Sequence, residues 1–292
     1  MLSFTMKLRY EGESVLIKII SVVLPLVAML MLPLELEAQP ADNTLGNHLV
    51  GTVLGEAEGL GEFDFRTDAD VLQTTDFGFL PNGDMLVADG VQGRILRVMP
   101  DGIVHPFAGN GSAINSEDSD DALEVGIPGI SHIATDGLGN VYLAQRFPNY
   151  SLIRRISPDG ALRTIAGKAE AACPTVGASA AGTPVGRVTA LTADHEGNIY
   201  FASNLCQKVF RIDSDGVIGI AGVDADAEQP GPVTNEGRSV PAASAQFHSV
   251  ADLAADGLGN VWVAQDSGPN RLALIMPQGV VTFLGRDKLP AD

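Results

Sequence analysis

The stretch DGLGNVYLAQ (136–145) recurs further along the chain as DGLGNVWVAQ (256–265), with eight of ten positions identical. Two related stretches stand before and between these copies, LPNGDMLVAD (80–89) and DHEGNIYFAS (194–203). Aligned on the last glycine of each turn, the four copies lie 56, 58 and 62 residues apart. The chain therefore contains an internal repeat, which has to be interpreted before any single residue.

Each copy belongs to a series of short strands. An alternating apolar segment such as VYLAQ (141–145) leads through a polar loop to a second strand that ends in a turn, as in LIRRISPDG (152–160). Another strand follows at once, and one more precedes each copy. Period-two alternation with Gly, Asn, Asp and Pro at the turns is typical of antiparallel hairpins. Each repeat is therefore predicted to be a four-stranded antiparallel meander.

Sheets that recur along a chain bury both faces when they stack radially, as in a β-propeller. The alternative is a β-sandwich whose internal similarity is accidental. The regular spacing of two turn signals in four units favours the propeller. We therefore predict an all-β fold, a β-propeller of four-stranded antiparallel blades with four blades visible.

The repeat resembles the NHL-repeat family of propellers. The resemblance lies in A-x-D-x-x-G-N before an alternating strand, R-I or R-V in the next strand, and a DG turn leading to a strand that ends in A-G. SVPAASAQF (239–247) is similar to the P-A-x-x-A-x-L linker of teneurin-like and bacterial exported NHL repeats, and the whole resemblance covers residues 49–286. The acidic residue that often follows the second strand is present only as Asp89. The basic residue of the third strand is kept at Arg94, Lys208 and Arg271.

A count of strands suggests that the ring is incomplete. HLVGTVLG (48–55) matches the outer strand of a unit, but no inner strands accompany it. The family resemblance implies five or six blades. We therefore expect a longer original gene product, or association with another chain through open blade edges, since uncovered strand edges invite pairing.

Residues 1–38 have the organisation of a secretory signal peptide. Basic residues precede a largely apolar run at 19–34, and the small Ala38 offers a processing site. An uncleaved anchor is the alternative, but this run contains two prolines and is short for a bilayer span of about 20 residues. The sequence predicts a propeller domain at 39–292 in a secreted, periplasmic or otherwise extracellular protein.

The formal net charge of −18 disfavours nucleic acid and anionic membranes as partners. A solvated or salt-adapted surface would explain this charge equally well. The two cysteines, Cys173 and Cys206, are predicted to form a disulfide, which is the commonest use of a cysteine pair in an exported protein. Cys173 lies in the linker that enters the third unit and Cys206 in a loop of that unit. In a meander these two loops share one face.

Length variation between the units falls in three linkers, 110–127, 168–187 and 223–249. Variable loops on a rigid scaffold are where binding surfaces form, so we expect these linkers to build one on the face of the cysteine pair. The first linker contains NSEDSDDALEVG (115–126). It lacks the sixth-position glycine and the terminal glutamate of an EF-hand, and is predicted to be an exposed acidic loop rather than a calcium site.

A second set of candidate residues comes from aligning the innermost strands. In each repeat, one residue lies four positions before the first turn; in chain order these residues are Asp76, His132, Ala190 and Asp252. Asp76, His132 and Asp252 are predicted to lie near the mouth of the central channel, where they could bind a divalent cation or act on a substrate. Separate hydrogen bonds to neighbouring strands would explain them equally well. His195, at a position where glycine is usual, is expected to be exposed.

No nucleophile elbow, zinc-protease motif or nucleotide-binding loop is present in the sequence. We therefore predict an exported propeller that acts as a binding or interaction module, with its ligand on the face of the long linkers. Its partner would be a protein, a carbohydrate or a small molecule. The alternative is a gluconolactonase-like or lyase-like propeller enzyme with a metal or acid/base site at the channel mouth.

Overall fold

The structure is a computed structural model that describes residues 73–221, 239–247, 249–266 and 272–284, together with the backbone of 2–10 and 13–21. The strand predicted at 48–55, Arg271 and most of the third linker lie outside these residues. Within the described part of the chain, no helix is long and apolar enough to cross a membrane.

Near the N-terminus, β1 (Leu2–Tyr10) and β2 (Glu13–Ser21) pair as an antiparallel hairpin. Both strands fall within residues 1–38. Removal of this segment as a signal peptide stays a prediction.

Four antiparallel sheets follow, and in each the four strands of the repeat lie in chain order. Blade 1 contains β3 (Thr74–Phe79), β4 (Met85–Asp89), β5 (Arg94–Val98) and β6 (Val104–Ala108). Blade 2 contains β7 (Ile130–Thr135), β8 (Val141–Arg146), β9 (Ser151–Ile156) and β10 (Leu162–Ala166). Blade 3 contains β11 (Val188–Ala193), β12 (Ile199–Ser203), β13 (Lys208–Ile212) and β14 (Ile218–Ile220). Blade 4 contains β16 (Val250–Ala255), β17 (Val261–Gln265), β18 (Leu272–Met276) and β19 (Val280–Leu284). The predicted four-stranded meander is confirmed in all four repeats.

The blades stack through apolar side chains. One buried cluster joins blades 1 and 2, with Leu86 and Ile95 packed among residues that include Leu143. Corresponding clusters join blades 2 and 3 and blades 3 and 4. The inner strands β3, β7, β11 and β16 pack in succession. This radial arrangement of sheets confirms the propeller class predicted from the repeat.

The repeated DGLGN stretch forms the turn between the first two strands of a blade. Asp136 is buried, and its Oδ1 accepts hydrogen bonds from the backbone N–H groups of Leu138 and Asn140, both at 2.9 Å. Its Oδ2 accepts from Asn140 Nδ2 at 2.7 Å and from the Tyr142 hydroxyl at 2.9 Å. Gly139 adopts a φ of +84°, which favours glycine. The stretch recurs because each hairpin needs this turn, and its aspartate serves the fold.

The linkers add a feature that the sequence analysis did not predict. Each described linker pairs with the outer strand of the blade that it enters, as shown by the bridges Ser119↔Leu162 and Ser179↔Val217 and by β15 (Ser239–Pro241) against β19. In all three, a buried alanine donates its N–H to the carbonyl of the glycine in the blade's second turn; the pairs are Ala122–Gly160, Ala180–Gly216 and Ala242–Gly279. Blade 4 is therefore five-stranded, and these outer edges are covered by the chain itself.

Candidate functional site

A β-bulge positions the residues predicted to lie at the channel mouth. In every blade the register between the first two strands shifts by one residue near the start of the inner strand. The residue that follows the shift is Asp76, His132, Ala190 or Asp252. Bulges re-aim side chains at strand ends, so the four positions are structurally equivalent, as the alignment indicated.

Asp76 is engaged with backbone groups on two blades. Its Oδ1 accepts a hydrogen bond of 2.8 Å from the N–H of Phe77, and its Oδ2 accepts one of 3.0 Å from the N–H of Ile133 in blade 2. The Nδ1 atom of His132 lies 3.8 Å from Asp76 Oδ2. The structure therefore brings Asp76 and His132 together across a blade boundary.

Asp252 repeats part of this arrangement in blade 4. Its Oδ1 accepts a hydrogen bond of 2.9 Å from the N–H of Leu253. Blade 4 is also joined to the neighbouring inner strand by the N–H of Ala255, which donates to Thr192 Oγ1 of blade 3 at 3.3 Å. The carboxylate of Asp252 thus accepts a hydrogen bond from the N–H of the next residue, as the carboxylate of Asp76 does.

The inner strands enclose a cavity of about 270 Å³. Asp76 and Asp252 both line it, whereas His132 is not among its lining residues. The remaining walls are largely apolar, with Phe77 and Leu191 among the side chains. The cavity therefore presents two carboxylates in an apolar channel.

In the described residues, no group of three or more His, Cys, Asp or Glu side chains is placed to hold a metal ion. A cation site at Asp76, His132 and Asp252 stays the alternative to a structural role for these residues. Its two carboxylates are partly committed to backbone N–H groups, as described above.

The turns lie at the opposite ends of these strands, so the bulges, the loops between second and third strands and the two ends of each linker share one face, which we call the linker face. The middle of each described linker runs along an outer strand to the second turn. Cys173 and Cys206 form a disulfide on it, with a Cα–Cα distance of 5.7 Å, as predicted. This bond ties the second linker (168–187) to the β12–β13 loop. Leu205 in that loop is 55% exposed.

The first linker (110–127) is exposed and acidic, as predicted, but it is also held firmly. The carboxylate of Asp118 accepts hydrogen bonds from Thr164, at 2.7 Å from the backbone N and 2.8 Å from Oγ1. Arg163 contacts the carbonyl of Ser119 and the carboxylate of Asp120. Sequence reasoning predicted this loop's exposure and missed its attachment to β10.

Two further predictions concern single side chains. His195 is 61% exposed on its side chain, in agreement with its expected position in a turn. Two of the basic residues at the start of the third strands are described by the structure. Arg94 Nε lies 3.9 Å from Asp89 Oδ2, whereas Lys208 Nζ donates to the carbonyls of Ala243 and Ala245 in the third linker. Arg94 therefore contacts the end of β4, and Lys208 binds the third linker.

No family model and no curated protein matches this chain. Among solved structures, it is similar to virginiamycin B lyase from Staphylococcus aureus, with 15% identity and a TM-score of 0.42 over 73% of this chain and 56% of that one. It is also similar to a putative gluconolactonase, with 14% identity and a TM-score of 0.42 over 73% of this chain and 62% of that one. U3-55K is a third, with 12% identity and a TM-score of 0.44 over 76% and 54% of the two chains. This chain therefore spans less than two thirds of the length of each.

Proposed function

We propose that the chain is an exported propeller of NHL type that acts as a binding module, with its ligand on the linker face. The observation that carries the proposal is the Cys173–Cys206 disulfide, which fixes a linker to a neighbouring loop. Loops held in one conformation lose less entropy when a ligand binds, so a fixed surface binds more tightly than a mobile one. A disulfide also suits an exported protein.

The charges of the first linker limit the partner. Glu117, Asp120, Asp121 and Glu124 of the first linker are all exposed. With a net charge of −18, the protein would repel nucleic acids and anionic membranes. A protein, a carbohydrate or a small molecule that is neutral or cationic suits this surface better.

A matched pair of leucines allows the face to be tested. Leu205 is 55% exposed in the β12–β13 loop of the linker face, and Leu258 is 81% exposed in the β16–β17 turn on the opposite face. We would screen carbohydrate and peptide arrays with purified protein, then compare Leu205→Asp with Leu258→Asp. The proposal predicts that Leu205→Asp lowers the affinity for a ligand found in the screen by about tenfold or more, whereas Leu258→Asp leaves it unchanged. Equal affinities for both variants would contradict it.

The second candidate function is a propeller enzyme of gluconolactonase or lyase type that acts in the channel. It is favoured by the cavity of about 270 Å³ and by the two carboxylates that line it. Turnover of a lactone by the purified protein, abolished in Asp252→Asn and retained in Leu205→Asp, would establish this function instead.

A further inference from the structure

Blade 2 contains a fully buried arginine. Arg154 in β9 has 0% exposure and pairs with Leu143 in β8. Its side chain therefore leaves the sheet on the same face as Leu143, which packs against blade 1. The equivalent positions in the other blades are apolar; they are Leu96, Phe210 and Ala273. A cation thus occupies a position that the repeat otherwise gives to the core.

The hydrogen bonds of Arg154 all go to the first linker. Nη2 donates to the carbonyl of Glu117 at 2.9 Å and lies 3.4 Å from Asp118 Oδ1. Among the described residues, Nη1 and Nε are buried without a hydrogen-bond partner. Burial lowers the pKa of Arg154, and the nearby Asp118 carboxylate opposes that shift.

A buried charge with unsatisfied donors is costly, and apolar residues of similar volume often replace such groups without loss of stability. Arg154 is therefore poorly explained as a residue that stabilises the contact between blades 1 and 2. The contacts of Arg154 explain its presence better. The carboxylate of Asp118 accepts hydrogen bonds both from Arg154 and from Thr164 of β10. Arg154 and Thr164 together fix one short segment of the linker.

We propose that Arg154 is a positioning residue for the first linker: it fixes residues 117–120 against the outer strand of blade 2 at the expense of stability. The neighbouring side chains of the linker, among them Ile114 with 77% exposure, are then presented in one arrangement. This makes the first linker a specificity-determining segment of the binding surface. That last step rests on the proposed function, whereas the positioning itself does not.

The test is Arg154→Leu, which introduces the residue that blade 1 has at the same position. We expect a melting temperature equal to or above that of the unchanged protein. Hydrogen exchange of the amides in 117–120 should accelerate by about tenfold or more, because the segment opens locally. Exchange in the second linker, which the disulfide holds, should not change. Arg163→Leu is the comparison: it removes contacts to Ser119 and Asp120 of the same segment from a partly exposed position, so exchange in 117–120 should also accelerate, but without a rise in melting temperature.

A second variant separates positioning from packing. Asp118→Asn keeps Arg154 and removes the charge opposite it, so we expect faster exchange in 117–120 together with a lower melting temperature, because the buried cation loses its counter-charge. The double variant Arg154→Leu, Asp118→Asn should melt close to Arg154→Leu alone.

The proposal is overturned if Arg154→Leu fails to fold or melts well below the unchanged protein, or if exchange in 117–120 stays the same. These measurements need no ligand. If the linker loosens as expected while ligand affinity is unaltered, the positioning role stands and the proposed location of the ligand is wrong.

Discussion

The carboxylate of Asp76 accepts a hydrogen bond of 3.0 Å from the backbone N–H of Ile133, across the boundary between blades 1 and 2. Two threonines make related bonds across the same boundary, from Thr75 Oγ1 to the carbonyl of Ile130 at 3.0 Å and from Thr135 Oγ1 to the carbonyl of Phe79 at 2.7 Å. Polar side chains at the bulge and at the opposite strand end thus join neighbouring inner strands. A residue that looked like a candidate ligand also serves to connect two blades.

Replacing Asp76 by alanine should destabilise the fold. The N–H of Ile133 would lose its partner between two blades, and a buried donor without a partner costs about 1–3 kcal/mol. Urea denaturation of Asp76→Ala beside the unchanged protein measures the loss. Equal stability of Asp76→Ala and the unchanged protein would show that the bond to Ile133 contributes nothing.

Removal of the disulfide should cost about 2–4 kcal/mol, since it closes a loop with a sequence separation of 33 residues. The change is Cys173→Ser with Cys206→Ser, and urea unfolding measures the free energy. Mass spectrometry of the unchanged protein with and without reduction should show a difference of two protons. Two cysteines that are freely alkylated in native protein would contradict this prediction.

Asp136→Ala should lower the free energy of unfolding by about 2–3 kcal/mol, because it leaves the turn N–H groups and the buried Tyr142 hydroxyl without their acceptor. Burial and Asp136 raise the pKa of Tyr142, as expected for a phenol that donates to a carboxylate. Glu196→Ala is the control, since Glu196 lies exposed in the equivalent turn of blade 3. Similar melting temperatures for the two variants would show that the repeated turn is not stabilised by its aspartate.

The mature chain is predicted to begin near Gln39, after the processing site that ends in Ala38. N-terminal sequencing of exported protein measures this directly. A protein that begins at residue 1 and remains in a membrane fraction would establish an N-terminal anchor.

The blades could be predicted from the sequence because their signals are local. Alternation of apolar residues and turn glycines at fixed spacing, such as Gly139 and Gly259, define each hairpin within one repeat. The disulfide was predictable for a similar reason, since the repeat placed Cys173 and Cys206 in loops that share a face. The pairing of linkers with outer strands was missed, because it depends on backbone hydrogen bonds and the side chain that the linkers share there is a single alanine, too common a residue to signal a contact.

Two side-chain roles at the site also required the structure. The bond from Ile133 to Asp76 depends on how one blade lies against the next, which a repeat alignment does not describe. Arg154 left a weak signal in the sequence, because LIRRI has an arginine where RILRV and KVFRI have Leu96 and Phe210. That mismatch within the repeat indicates an unusual position, but only the structure shows that its side chain contacts the first linker.

The most direct test of the central claim, that the channel-mouth carboxylates serve the fold rather than a ligand in the channel, is a comparison of Asp252→Ala with the unchanged protein. Both are dialysed, analysed for metal by mass spectrometry, titrated with divalent cations and melted. The account predicts no stoichiometric metal in either protein and a melting temperature that falls in the variant. One bound divalent cation per chain in the unchanged protein, lost in Asp252→Ala with the melting temperature of the metal-free protein preserved, would contradict it.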